Sequence, residues 1–176
     1  MVHLHLHTKY SLLDSTIQLD DLITKLDELG MDTVAITDHG NMYGCCELYK
    51  MLKQHGKKLI IGCECYICAN RFETGQAYHL ILLAKNETGR LNLQKIVSDS
   101  TRHKYKGKPR IDFDLLTQHH EGLICLSACM AGELTRALQA GSLLQAKQIA
   151  YKYKFLFGDD YYIEYQSHSN PEQQRY

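Results

Sequence analysis

The sequence has 176 residues, enough for one domain with a sizeable core and too few for two comfortable ones. Lys plus Arg equal Asp plus Glu at 20 each, which excludes a whole-molecule field strong enough to draw the chain onto nucleic acid or an anionic membrane. The seven cysteines are an odd number, no export signal opens the chain and no apolar run approaches the ~18 residues of a membrane span, so the expectation is a cytoplasmic protein with reduced thiols and no membrane partner. Any contact with DNA must be local.

Val2 to His7 alternates apolar and imidazole residues, which predicts a strand with Leu4 and Leu6 on one face and His3, His5 and His7 on the other. Leu19, Leu22, Ile23, Leu26 and Leu29 then follow helical spacing, with Gly30 placed for a C-terminal cap. Thr33 to Thr37 is a β-branched run, Met42 to His55 reads as a helix stopped by Gly56, and Lys58 to Cys63 as a third strand. This succession makes a pair of βαβ units and predicts a parallel sheet or barrel. Glu64 to Cys68 and Tyr78 to Lys85 are strand-like and flank a polar stretch, which suggests a hairpin. A helix over Thr88 to Ser100 precedes Arg102 to Arg110, read as a basic loop carrying Arg102, Lys104, Lys106, Lys108 and Arg110. Further on, Asp112 to His119 predicts a short helix, Leu123 to Ser127 a buried strand, Gly132 to Gln139 and Ser142 to Phe157 helices, and Tyr161 to Gln166 a last strand. Pro171-Glu172 has the form of another helix opening.

The ten histidines cluster by position. On a strand His5 and His7 would project to one side, the geometry that holds one metal ion or bridges to a second; on a half-exposed antiparallel sheet the same pair would face water. Opening a βαβ unit argues for covered faces, where unpaired imidazoles are costly and a metal supplies the partner. Asp38 and His39 stand just past the end of the second strand and Glu64 past the third, where parallel α/β folds gather functional groups; each alone could equally be a solvated cap. Asp14 lies seven residues after His7 and can join that rim or serve a turn. His79 begins its strand, which suits a shared rim only if Glu64 to Lys85 is antiparallel. Cys129 follows a strand and reads either as a zinc ligand or as core. Cys63, Cys65 and Cys68 lack a second CxxC pair and read as packing residues, as do Cys45 and Cys46. No glycine-rich phosphate loop or GxSxG elbow is present, which leaves metal-assisted hydrolysis as the chemistry.

The chain resembles the PHP (polymerase and histidinol phosphatase) domain that begins bacterial DNA polymerase III alpha subunits. The resemblance is carried by His5-Leu6-His7-Thr8, Tyr10-Ser11-Leu12-Leu13-Asp14, Ile36-Thr37-Asp38-His39-Gly40-Asn41, Ile61-Gly62-Cys63-Glu64, Tyr78-His79-Leu80 and the segment from Gly122 to Cys129. It implies an α/β fold of the distorted seven-stranded, TIM-like barrel type, incomplete in these residues. It also implies a site for up to three divalent ions, commonly zinc, with manganese or magnesium as alternatives. Carried over residue by residue, His5, His7, Asp14, His39, Glu64, His79 and Cys129 match ligand positions. Glu64 matches the bridging carboxylate, Glu64, His39 and Asp38 are the catalytic candidates, and His3 is a neighbouring one. The family's closing Asp-x-His motif does not occur in the 176 residues. The resemblance therefore implies that residues 1 to 176 are the amino-terminal part of a PHP domain, with its remainder and a polymerase body beyond. The function implied is that of a DNA-directed DNA polymerase subunit with metal-dependent 3′-5′ exonuclease activity in this domain. Its implied partners are DNA, the polymerase body, a sliding clamp and a separate proofreading exonuclease. Two other functions fit the motifs: a structural module that docks that exonuclease, and a free-standing phosphatase of the histidinol phosphate type. The basic segment is expected to touch DNA or a neighbouring polymerase domain.

Overall fold

Leu19, Leu22, Ile23 and Leu26 lie on one face of α1 (Leu19–Glu28), and all four are buried in the computed structural model, which describes residues 2–167 and Pro171. They pack on β1 (Thr33–Ile36) and α2 (Cys45–Gln54), forming a core with Val34, Ile36, Leu48 and Leu52. The chain then enters β2 (Lys58–Cys68), an 11-residue strand where the sequence predicts two. Its alternation divides the molecule: Cys63, Cys65 and Ile67 enter the main core, while Glu64 faces the other way. β3 (Ala77–Ala84) returns antiparallel on β2, with Tyr66 opposite His79 and Glu64 opposite Ile81, so the hairpin condition on His79 is met.

Helix α3 (Glu87–Ser100) is capped by Asn86, which accepts from the Gly89 N–H at 3.0 Å. The basic segment that follows is not a loop. It forms a hairpin, β4 (Lys104–Tyr105) and β5 (Lys108–Ile111), closed by Lys106 and Gly107 at φ 50° and 80°, the mirror-image turn that tight hairpins favour. Lysine is an unusual occupant of that φ, which is why composition suggests a loop. β5 pairs parallel with the end of β2. α4 (Phe113–His119) is capped by Asp112 and leads to β6 (Leu123–Leu126), antiparallel to β3. α5 (Glu133–Gln139) and α6 (Leu143–Phe157) cover the sheet, and β7 (Tyr161–Tyr162) pairs parallel with β6.

The seven strands form one mixed sheet ordered β4-β5-β2-β3-β6-β7, with β1 alongside β2. The segment from Val2 to His7 is not the predicted strand. It runs beside β1, bonded through Ala35 N–H to His3 O at 2.9 Å and Thr37 N–H to Leu6 O at 2.9 Å, too sparsely for a ladder. The last predicted strand is regular only at Tyr161–Tyr162; beyond it the chain is held by the Ser127 N–H to Tyr162 O and the Glu164 N–H to Ser127 Oγ. The two ends of the sheet meet where His5 Nδ1 lies 2.7 Å from Glu164 Oε1, so the sheet curls into an open barrel. Ala35, Ile81, Leu83, Leu126 and Ala128 fill its interior as an apolar floor. The helix opening predicted at Pro171-Glu172 falls, apart from Pro171 itself, outside the described residues.

Candidate metal centre

Polar side chains gather above that floor, at the end of the barrel where β1, β6 and β7 terminate. Glu64 is 1% exposed, and four imidazoles surround its carboxylate. His5 Nε2 and His79 Nδ1 lie 3.3 and 2.7 Å from Oε1, and His7 Nε2 and His39 Nδ1 lie 3.2 and 2.8 Å from Oε2. Asp14 stands outside, its Oδ2 at 3.1 Å from His39 Nε2 and 3.9 Å from His7 Nε2. Cys129 follows Ala128, whose φ of 63° turns the chain over the floor, and its Sγ is 3.6 Å from His79 Nδ1 and 3.9 Å from Glu64 Oε1. All seven residues expected as ligands therefore meet at one rim. Three trios, His5-His7-Glu64, His7-Asp14-His39 and His39-Glu64-His79, each bring their ligand atoms within 4.8 Å of one another.

The proton arrangement favours cations between these groups. A carboxylate only accepts, so His5 gives its Nδ1–H to Glu164, and its Nε2 is the nitrogen that a cation would take in place of a proton. Ser11 donates its hydroxyl to Asp38 at 2.6 Å, which leaves its oxygen to accept from His7 Nδ1 at 3.2 Å; Nε2 of His7 is likewise the nitrogen left for a cation. The two Nε2 atoms then face each other at 3.1 Å, a repulsive contact unless positive charge lies between them. His39 Nδ1 and Glu64 Oε2 are both buried and only 2.8 Å apart, yet neither is aligned for a hydrogen bond. Donor atoms that converge this closely, with one buried pair left without a hydrogen bond, fit a divalent cation.

Without a metal, the electrostatics are those of a strongly coupled cluster. Burial alone would raise the Glu64 pKa, but His39, His5, His7 and His79 hold it far below the usual carboxylate range. Burial opposes the His5 imidazolium, but Glu164 and Glu64 outweigh it and raise the pKa to about 9. His39 is likewise raised, against burial, by Glu64 and Asp14. Burial pushes the Cys129 thiol up. A metal would have to take the place of protons at these atoms.

Asp38, expected as catalytic, does not face the cluster. It is buried and accepts from Thr8 N–H at 2.7 Å, Thr8 Oγ1 at 2.8 Å and Ser11 Oγ at 2.6 Å, so it fixes the loop that presents His7. His3 lies away from the cluster, lining an apolar groove against α1. Sequence reasoning missed Glu164, whose Oε1 holds His5 and accepts from Gln166 Nε2 at 2.6 Å, and whose Oε2 is buried without a hydrogen-bond partner among the described residues. It also missed Tyr66, whose ring stacks on His39 at 5.6 Å. Glu164 lay within the predicted strand Tyr161 to Gln166 and carried no signal beyond its acidic side chain; Tyr66 carried none.

A cup of metal-competent side chains at one rim of a curled α/β sheet defines a metal-centre protein. Residues 3–168 match the PHP domain family, and the chain belongs to it. Its relatives include DNA polymerase III subunit alpha of Treponema pallidum (strain Nichols), 45% identical over 182 residues, with 99% of this chain and 16% of the relative covered. DNA polymerase III subunit alpha of Aquifex aeolicus (strain VF5) is 40% identical over 185 residues, covering 98% of this chain and 16% of the relative. The chain thus spans 16% of the length of these relatives. Among solved structures, an amidohydrolase from Chromobacterium violaceum with bound sulfate and no metal overlaps 84% of this chain and 53% of its own, at 14% identity and a TM-score of 0.40.

Proposed function

We propose that this chain is the PHP module of a bacterial DNA polymerase III alpha subunit and that its cup is a di- or trinuclear centre for phosphodiester hydrolysis at the 3′ end of DNA. The observation that carries this reading is the buried, unbonded approach of His39 Nδ1 and Glu64 Oε2 at the middle of a convergent donor set. His5, His7, Asp14, His39, Glu64, His79 and Cys129 would hold the metals, with Glu64 shared. Zinc suits the set best, and manganese is the next candidate. Bound there, divalent cations supply polarisation of a phosphoryl oxygen and a water acidified to near neutral pH.

The remaining work falls to the chain itself. Glu164 Oε1 holds the proton on His5 Nδ1, and Ser11 Oγ, fixed by Asp38, holds that on His7 Nδ1; each Nε2 is thereby kept free. Asp14 orients His39 from the solvent side, and the apolar floor keeps water from below. In the intact subunit the module would work beside the polymerase body, on DNA, among the clamp and the other replicative partners.

The test is metal content and 3′-exonuclease activity of the intact subunit, with and without chelator. Bound metal, chelator-sensitive release of nucleotides and loss of both in Glu64→Gln are expected. A metal-loaded subunit that releases no nucleotide would favour the structural role, in which the ions serve to tie the ends of the barrel together.

A further inference from the structure

A second feature of the surface stands apart from the cup. The β4–β5 hairpin and the turn after β2 enclose a groove of about 270 Å³ lined by Arg71, Phe72, Glu73, Thr74, Arg102, His103, Lys104, Tyr105 and Arg110. Phe72 is 66% exposed, yet it is held from two sides: the Arg71 guanidinium lies 4.4 Å from its ring centroid and the His103 ring meets it edge-on at 4.7 Å. Arg71 is itself fixed by Asp99 at 3.1 Å and Asp112 at 2.6 Å. With those two carboxylates engaged, Arg102, Lys104, Lys106 and Lys108 have no ion pair among the described residues. Four solvated cations beside a supported, exposed ring form an excess of positive charge on a chain with none overall.

The groove is joined to the cup. Lys108 Nζ lies 4.9 Å from the Tyr66 ring centroid, and that ring stacks on His39. Glu64 and Tyr66 share one face of β2, and Arg110 of the groove pairs with Tyr66, so about 7 Å of strand lies between the cup's carboxylate and the rung that carries Arg110, at ~3.3 Å per residue. Pro109 of the hairpin abuts Gly40, the residue after His39: a Cβ there would collide with the Pro109 ring. His5, His7, His39 and His79 are only 10% to 19% exposed, so each offers solvent no more than an edge.

We propose that the groove and the hairpin bind single-stranded DNA: a base stacks on Phe72, phosphates lie along Arg102, Lys104 and Lys106, and Lys108 passes the 3′-terminal phosphodiester over Tyr66 to the cup. Base stacking on aromatic rings combined with a basic track is the general mode of sequence-tolerant single-strand binding. The direction of the strand rests on the phosphodiesterase reading of the cup; the binding itself does not.

The experiment uses the full-length subunit and a short oligodeoxynucleotide carrying 5-iododeoxyuridine near its 3′ end, irradiated in the presence of chelator so that hydrolysis plays no part. Crosslinks to peptides containing Phe72 or Tyr105 are expected. The triple variant Lys104→Ala, Lys106→Ala, Lys108→Ala should lower their yield at least about tenfold at moderate salt and flatten the logarithmic salt slope by about 2, the release expected from three phosphates. Phe72→Ala should remove the Phe72 crosslink. All four side chains are exposed, so folding is preserved, and hydrolysis of bis(4-nitrophenyl) phosphate by the metal-loaded variants checks the cup separately. With long oligonucleotides the triple variant should raise KM by more than it lowers kcat. Crosslinks that map elsewhere, or that persist undiminished in the triple variant, would overturn the proposal and leave an acidic protein surface as the hairpin's partner. Wild-type subunit that crosslinks as expected but cannot cleave the small ester would support strand binding while refuting the phosphodiesterase reading.

Discussion

Glu164 sits one bond away from the expected ligands and sets what one of them can do. Its carboxylate accepts the hydrogen bond of His5 Nδ1–H, which fixes the imidazole with its other nitrogen toward Glu64. Glu164→Gln keeps the size but replaces a charged acceptor with a neutral amide that can present N–H to His5 instead. The expected outcome is metal affinity about 10-fold to 100-fold weaker, the usual effect of losing a carboxylate behind a metal-bound histidine, with an unchanged circular dichroism spectrum. Isothermal titration of apo protein with zinc measures it, and equal affinity in the two proteins would show that the pairing is incidental. At this scale most of the cup was readable in advance. His39 and Cys129 follow strand ends as expected, Glu64 lies within β2, and His5 and His7 sit on an irregular segment beside β1. Residue type therefore located the cup where the predicted strand ends did so only in part. Glu164 was legible only as a strand residue. In the run Tyr161-Tyr162-Ile163-Glu164-Tyr165 an acidic side chain reads as solvated until the sheet curls and brings it against the opposite end of the chain.

Elements reach their places through a few backbone positions that tolerate no side chain. Gly40 has φ +61° and its missing Cβ leaves room for Pro109; Gly30 has the same φ +61° with open space around it. Gly30→Ala therefore measures the left-handed backbone cost alone, about 1–2 kcal/mol, or roughly 2–8 °C in Tm for a domain of this size. Gly40→Ala adds displacement of the hairpin and of His39, so it should lower Tm further and weaken metal binding as well. Equal Tm losses would mean that the hairpin is not seated on the loop. Asp112 does a different job, capping α4 through the Leu115 N–H at 3.0 Å and pairing with Arg71. Burial opposes its charge, but the N–H groups of Leu115 and Arg71 and the Arg71 guanidinium prevail and hold its pKa below the usual value. A depressed carboxylate contributes stability above its unfolded pKa of about 3.9 and loses it as pH falls through the folded value. Asp112→Asn should thus cost about 2 kcal/mol at pH 7 and progressively less below about pH 4, by urea denaturation at each pH. A difference that does not change with pH would rule out the charge as its source. The helices and core strands follow sequence periodicity closely because burial enforces it. The hairpin and the Val2 to His7 segment do not, since one depends on Lys106 in a left-handed conformation and the other on a partner strand distant in sequence.

The whole molecule is a sheet whose first and last segments are joined above the apolar floor by His5 and Glu164, and the cup sits at that seam. Its seven expected ligands come from the segment beside β1, the loop after it, the end of β1, β2, β3 and the turn after β6. Ions held by all of them would therefore tether segments from residue 5 to residue 129. In the absence of metal, protons must do that work, and His5 gives up its proton as pH rises through about 9. A ligand that binds only the folded state stabilises it by RT ln(1 + [L]/Kd), about 2.7 kcal/mol at a hundred times Kd. Zinc at that excess should therefore raise Tm by roughly 5–11 °C in a domain of this size, and chelator should reverse the change. Glu64→Gln removes the shared acceptor, so its Tm should respond little to zinc even where the fold is retained. Differential scanning calorimetry with and without zinc, on both proteins, decides the matter. A wild-type Tm indifferent to zinc and manganese would mean that the histidines and Glu64 hold the seam by hydrogen bonds alone and that the cup is not a metal centre.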